Sequence, residues 1–226
     1  VAQILNLLRE LNLEKDTIVF FTGDNGGQDR FRSKKSPRGF FGPNVNPKTG
    51  VEFRGGKGNL FEGGLRIPYL VRWPGRINSG QVNDLIFYQP DVLPTLAELT
   101  GAKAPNDIDG ISILPTLLNQ GQQEKHEMLY WEFRSQIAVR KQNWKAIQTK
   151  PNRAWELYDL NKDISETTNI AVKHPDVLAK MKSFAKASHE PVITGKYLDS
   201  NRSKHERDRR AKWGTAKEAS KARRKK

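Results

Sequence analysis

Apolar positions recur with a helical repeat at the start of the chain. Ile4, Leu7, Leu8 and Leu11 in "VAQILNLLRELN" fall on one side, which predicts an amphipathic helix ending near Asn12. Thr17 to Thr22 follow as a near-continuous apolar run, the pattern of a strand buried on both faces of a parallel sheet. From Gly23 to Gly56 the periodicity vanishes into Gly, Pro, Asn, Lys and Arg, so a long loop is expected at one end of that strand. "IPYLVRWPG" predicts a short strand over Tyr69 to Arg72, stopped by Pro74-Gly75, and "QPDVLPTLAELTG" predicts a helix with Val92, Leu96 and Leu99 on one face and Gly101 as its stop. A short helix is expected around Leu114 to Leu118.

The pattern changes near residue 122. "MLYWEF", "QIAVR" and "WKAIQ" are short β-like runs with short polar connectors, expected to form a small antiparallel sheet. "HPDVLAKMKSFAKASHE" then predicts an amphipathic helix with Val177, Met181 and Phe184 on one side. Three regions result: an α/β portion over 1–122, a small antiparallel β subdomain with a packed helix over 123–195, and a tail over 196–226 whose low hydrophobicity and like charge predict a solvated extension.

Composition narrows the chemistry. The 226 residues contain no cysteine, which excludes disulfides, thiolate metal sites and a Cys nucleophile within them. The formal net charge of +14 is uneven: residues 201–226 hold 12 Lys/Arg against 3 Asp/Glu, so most of the excess belongs to the tail and says little about the folded part. That tail has a single aromatic, Trp213, and no nucleic-acid recognition motif, so no specific nucleic-acid partner is expected. No apolar run approaches the ~18 residues of a membrane-spanning helix. The opening residues lack an initiating Met and the layout of a signal peptide, and begin in mid-pattern, so the chain is expected to start inside a longer protein.

Two stretches carry candidate chemistry. "GDNGG", Gly23 to Gly27, is by itself a good hairpin turn, yet no partner strand follows it directly. Asp24 and Asn25 instead sit at the end of a strand, where ligands bind in α/β sheets, and their hard oxygens suit Ca²⁺ or Mg²⁺, although two ligands are too few for a site. The second stretch is "RGGKGNLFEGGLRIP", where Gly55, Gly56 and Gly58 free the backbone around Lys57 to meet an anion, against the plainer reading of a flexible loop with a solvated lysine. It is not a P-loop, since Gly58 follows the lysine and Val51 stands where an earlier glycine is required. His126, His174, His189 and His205 show no metal-ligand spacing and read as solvated or structural.

The two stretches in this order, with Asp24 and Lys57 separated by 33 residues, resemble the later part of the sulfatases of the alkaline-phosphatase-like superfamily. "FYQPDVLPTLAELTG", "DIDGISILPTLLNQ", "LYWEF", "AVRKQNWKAI" and "ELYDLNKDISETTNIA" extend the resemblance over about Leu5 to Ser188. It implies the C-terminal part of an α/β sulfatase fold with its small antiparallel subdomain, acting on a sulfate ester, with a sulfated glycan as one candidate. It further implies that Asp24 and Asn25 are the last two ligands of an active-site Ca²⁺, and that Lys57 contacts the sulfate and neutralises charge near the leaving oxygen. Glu62 and Arg66 would hold the loop, and Trp131 and Glu132 would face the substrate entrance or, for Trp131, pack in the core.

The family's attacking group is a formylglycine made from a Cys or Ser in Cys/Ser-x-Pro-x-Arg. Here no cysteine exists and "SPRGF", starting at Ser36, is out of register, so the nucleophile is expected upstream of Val1 and the isolated chain is expected to be inactive. If the full-length protein carries a signal peptide, the compartment is periplasmic or extracellular. The alternatives are a phosphoesterase of the same superfamily, which lysine and metal would also serve but against which stands the single ligand pair without the extra His ligands of a two-metal phosphatase, and a basic binding module acting through the tail.

Overall fold

A computed structural model describes residues 1–28 and 44–190. The chain divides into two units, Val1–Ser188 and His189–Lys226. Apart from its first two residues the second lies outside the described residues, as do Ser36 and the predicted tail.

The first helix, α1 (Ala2–Glu10), appears where the repeat predicts it, but no residue of it is buried: Ile4, Leu7 and Leu11 are more than half exposed. Strand β1 (Val19–Thr22) pairs with β2 (Tyr69–Arg72), with Val19 opposite Arg72 and Thr22 opposite Tyr69. The pairing is antiparallel and forms a two-stranded sheet, and Phe21 and Leu70 are exposed, so the expected parallel strand buried on both faces is corrected. The reason lies in the connection. A one-turn helix, α2 (Glu62–Leu65), leads into β2 through three residues and lies against the turn that ends β1, so β2 starts beside the point where β1 stops. A near-continuous apolar run favours a parallel strand, but the direction of pairing is set by the connection that brings in the neighbour.

A 3₁₀ turn (Gln89–Asp91) runs into α3 (Val92–Thr100), which stops at Gly101 in the left-handed conformation. The predicted Val92/Leu96/Leu99 face is packed only in part, with Val92 and Leu99 half-buried and Leu96 exposed. Asp91, Thr95 and Ala97 are buried while Leu93 and Leu96 are exposed. Hydrogen bonds decide this: Asp91 accepts the Tyr88 and Ile111 N–H groups at 3.0 and 2.9 Å, and the Thr95 hydroxyl donates to Asp91 O and accepts Ile113 N–H. Helix α4 (Leu114–Leu118) follows.

Strands β3 (Leu129–Phe133), β4 (Gln136–Lys141), β5 (Trp144–Gln148) and β6 (Glu156–Asp159) form a four-stranded antiparallel meander in sequence order. Period-two alternation sends Val139, Ala146 and Leu157 to one face, where Met181 and Ala185 of α5 (Pro175–Ser188) cover them. Ala138, Ile147 and Tyr158 point to the other face, where they meet Leu60 and Phe61 from the segment before α2. The sheet thus packs a helix on one side and the lysine-bearing loop on the other. Among the described residues no helix is long and apolar enough to cross a membrane.

Candidate functional site

Strand β1 delivers the chain to Gly23–Gly27, where Asp24 is exposed, Asn25 half-buried and Gly26 buried. That turn is docked on the second glycine-rich stretch. Gly26 N–H donates to Gly64 O at 2.9 Å, and the N–H of Lys57 itself donates to Gly27 O at 2.9 Å. The Asn44 amide joins both sides, donating to Gly27 O at 3.1 Å and Gly63 O at 2.9 Å. The three predicted site residues, Asp24, Asn25 and Lys57, are therefore carried on two directly hydrogen-bonded backbones. Lys57 is exposed, and among the described residues none of the three side chains makes a hydrogen bond or ion pair.

Glycine is required where the two backbones meet. A Cβ on Gly26 would lie 2.7 Å from the Gly63 carbonyl carbon and 2.8 Å from the Gly64 Cα, and within the Lys57 stretch one on Gly64 would lie 2.8 Å from Gly56 O.

The loop carrying Lys57 is also fastened to the four-stranded sheet. Gln136 of β4 donates to Gly58 O at 3.2 Å and accepts Leu60 N–H at 3.3 Å. At the first stem, the Arg54 guanidinium stacks 3.8 Å from the centre of the Phe61 ring and donates to Tyr158 Oη, Glu156 Oε2 and Glu166 O at 2.7 to 3.0 Å. At the second stem, Glu62 is buried in a cluster of charges: Lys145 Nζ reaches Glu62 Oε1 at 2.9 Å and Glu166 Oε1 at 2.8 Å, and Arg66 Nε donates to Glu62 Oε2 at 2.9 Å. Glu166 Oε2 accepts the Glu62 N–H at 2.6 Å, capping α2.

Electrostatics separates the two carboxylates. Burial pushes Glu62 upward, but Lys145, Arg66 and Arg140 outweigh it and hold the carboxyl at about 2. Burial dominates at Glu166 and leaves it above the usual carboxylate value despite Lys145. Lys145 and Glu166 are fully buried, and motif reasoning missed both. The available signal was a lysine within the apolar strand "WKAIQ", on the same face as Ile147.

The remaining sequence candidates fall into place around this frame. Glu62 and Arg66 hold the loop stem, as expected. Trp131 is half-buried, packs against the loop-side core and meets Tyr88 edge-on; Glu132 is exposed and accepts the Tyr130 hydroxyl. His126 Nε2 lies 2.8 Å from Asp91 Oδ1, and His174 packs on Trp144, so both are structural.

An exposed carboxylate beside an amide oxygen fits a hard cation in kind. In number it does not suffice, because the described residues contain no group of three or more His, Cys, Asp or Glu able to hold a metal.

Residues 56–189 match the family described as N-sulphoglucosamine sulphohydrolase, C-terminal, and residues 1–102 match the family described as Sulfatase. The chain belongs to the sulfatase family. Among sulfatase relatives, the steryl-sulfatase of Mus musculus is 40% identical over 161 residues, covering 68% of this chain and 25% of the relative. The N-acetylgalactosamine-6-O-sulfatase of Bacteroides thetaiotaomicron is 31% identical over 199 residues, covering 80% and 38%. A solved structure from a core genetic locus for glycosaminoglycan metabolism in Bacteroides thetaiotaomicron superimposes with a TM-score of 0.65 at 27% identity, covering 82% of this chain and 41% of that one. The phosphonate monoester hydrolase of Agrobacterium radiobacter shares the fold alone, with a TM-score of 0.61 at 22% identity over 84% of this chain and 38% of that one. The chain thus spans well under half the length of these sulfatase relatives.

Proposed function

We propose that this chain forms one wall of a sulfuric ester hydrolase site in which Lys57 contacts the sulfate and neutralises charge as the ester oxygen departs, while Asp24 and Asn25 give two oxygen ligands to a Ca²⁺ or Mg²⁺ ion. The observation that carries this reading is the hydrogen bond from Lys57 N–H to Gly27 O, which ties the lysine to the Asp24-Asn25 turn. A sulfate ester is anionic and repels an anionic attacker, so positive charge must be in place before reaction at sulfur. At ~4 Å a unit charge pair contributes about 1 kcal/mol in bulk water and about 4 kcal/mol at an effective dielectric of 20, so the lysine acts most strongly where water is excluded. When bound, the cation would polarise the sulfate and offset its charge. The chain has no cysteine and Ser36 lies out of register, so the residues here do not fit a formylglycine precursor.

The isolated 226-residue chain is expected to show no turnover of an aryl sulfate with calcium supplied, and measurable turnover would overturn that. In a complete polypeptide with its nucleophile, Lys57→Ala is expected to lower kcat/KM by about 10²- to 10³-fold. Lys48→Ala, in an exposed turn, is the control; a Lys57 variant within twofold of the parent would remove the lysine from the site.

We also propose that the basic tail attracts sulfated polysaccharide. Deleting Asn201 to Lys226 removes a net charge of +9 and is expected to shorten retention on a sulfated-glycan column, with the difference vanishing at high salt. Unchanged retention would sink the idea.

A further inference from the structure

Three groups of contacts fasten the Lys57 loop to the four-stranded sheet and the turn that follows it, and all come from residues with no part in the proposed chemistry. Arg54, three residues before Lys57, is held by Glu156, Tyr158 and the Glu166 carbonyl. Gln136 bonds Gly58 and Leu60, on the other side of Lys57. Glu62, five residues after it, is gripped through its carboxylate by Lys145 and through its N–H by Glu166. Glu166 pays for its inward aim with a left-handed backbone, φ 53, in a turn held by Asp163, which accepts Thr167 N–H and Thr168 N–H at 2.8 Å. A loop needing only a hydrophobic anchor would have it in Leu60 and Phe61. The additional polar ties specify backbone conformation on both sides of a single exposed lysine.

We infer that Gln136, Lys145 and Glu166 are positioning residues: with Arg54 they clamp both stems of the loop and fix the direction in which Lys57 is presented to an anion. The inference rests on the reading of Lys57 as the sulfate-contacting residue. In mechanical terms, the antiparallel sheet is the frame of the lysine, and loosening the frame weakens the anion site without unfolding the sheet.

The test uses Gln136→Leu, which removes two hydrogen bonds at a half-buried position, and Arg54→Met as a second variant at the other stem. Amide hydrogen exchange is read at Lys57, Asn59 and Gly63, whose N–H groups bond Gly27 O, Gly56 O and Arg54 O and do not touch Gln136. Sheet amides at Val139 and Ile147 provide the reference. The expected result is exchange faster by about fivefold to tenfold in the loop, the size of about one lost net hydrogen bond, with sheet amides within about twofold. In parallel, inorganic sulfate is titrated while acylation of Lys57 is followed by mass spectrometry, with exposed Lys103 and Lys173 as internal standards. Sulfate is expected to slow labelling of Lys57 selectively, and the half-protecting concentration to rise several-fold in both variants.

Loop exchange unchanged in both variants, or sheet exchange rising equally with it, overturns the clamp. Absence of sulfate protection in the unsubstituted chain strikes the reading of Lys57 instead, and the clamp is then decided by the exchange comparison alone.

Discussion

Gly26→Ala is expected to destabilise the chain by about 3 kcal/mol and to separate the Asp24-Asn25 turn from the Lys57 loop. The new Cβ would stand 2.7 Å from the Gly63 carbonyl carbon and 2.8 Å from the Gly64 Cα, with the Gly63 carbonyl oxygen closer still. All three are backbone atoms, so no side-chain rotation relieves the clash. Relief requires the turn to lift, which breaks Gly26 N–H to Gly64 O and strains Lys57 N–H to Gly27 O. Gly75→Ala separates this effect from ordinary glycine chemistry. Gly75 has φ 79 and open space around its Cβ position, so alanine there meets only the left-handed backbone cost of about 1 to 2 kcal/mol. Urea denaturation midpoints give the two stabilities, and exchange at the Lys57 amide reports the separation. If Gly26→Ala costs no more than Gly75→Ala and leaves the Lys57 amide protected, the close approach of the two glycine stretches is wrong.

That contact shows which parts of the molecule are legible in the sequence. The positions of Asp24, Asn25 and Lys57 follow from two quoted stretches, but their adjacency depends on a hydrogen bond between residues 27 and 57, which no local pattern encodes. Strands β3 to β5 are legible because their short runs of consecutive apolar residues match a sheet covered on both faces, and β5 is predicted to the residue. Strand β6 is not legible as a strand: "ELYD" offers only Leu157 and Tyr158 between charged residues, and each is buried on a different face of the sheet. Helix α3 misleads for a related reason. Its leucines advertise a packing face, whereas Asp91 and Thr95 place the helix through four hydrogen bonds and leave Leu93 and Leu96 exposed. Hydropathy is blind to such specificity, and it is equally blind to the buried charges around Glu62.

Those charges set the other large expected effect. Lys145→Met keeps the approximate length of the side chain and removes the ammonium that contacts both Glu62 and Glu166, leaving Glu166 fully buried without the cation 2.8 Å from it. Breaking a buried pair in this way typically costs about 3 to 5 kcal/mol, and a loss in that range is expected near pH 7 by urea denaturation. The pH dependence gives the finer test. Glu62, held at about 2 against an ordinary 4.5, contributes stability that is present above 4.5 and lost as pH falls toward 2. Glu166 is raised, so its contribution has the opposite sign: present below 4.5 and lost as pH rises through its folded value. Removing Lys145 raises Glu166 further, because burial then acts with less opposition. Lowering the pH from 7 therefore protonates Glu166 in the variant before it does so in the parent, and a neutral acid is far cheaper to bury than a carboxylate. The stability gap between parent and variant is accordingly expected to narrow as pH falls from 7 through the folded value of Glu166 in the variant, and Lys145→Met/Glu166→Gln to recover part of the loss at pH 7. A gap that stays constant over that range, with no recovery in the double variant, would mean that Lys145 contributes through packing of its stem and that its charge is not what holds the loop.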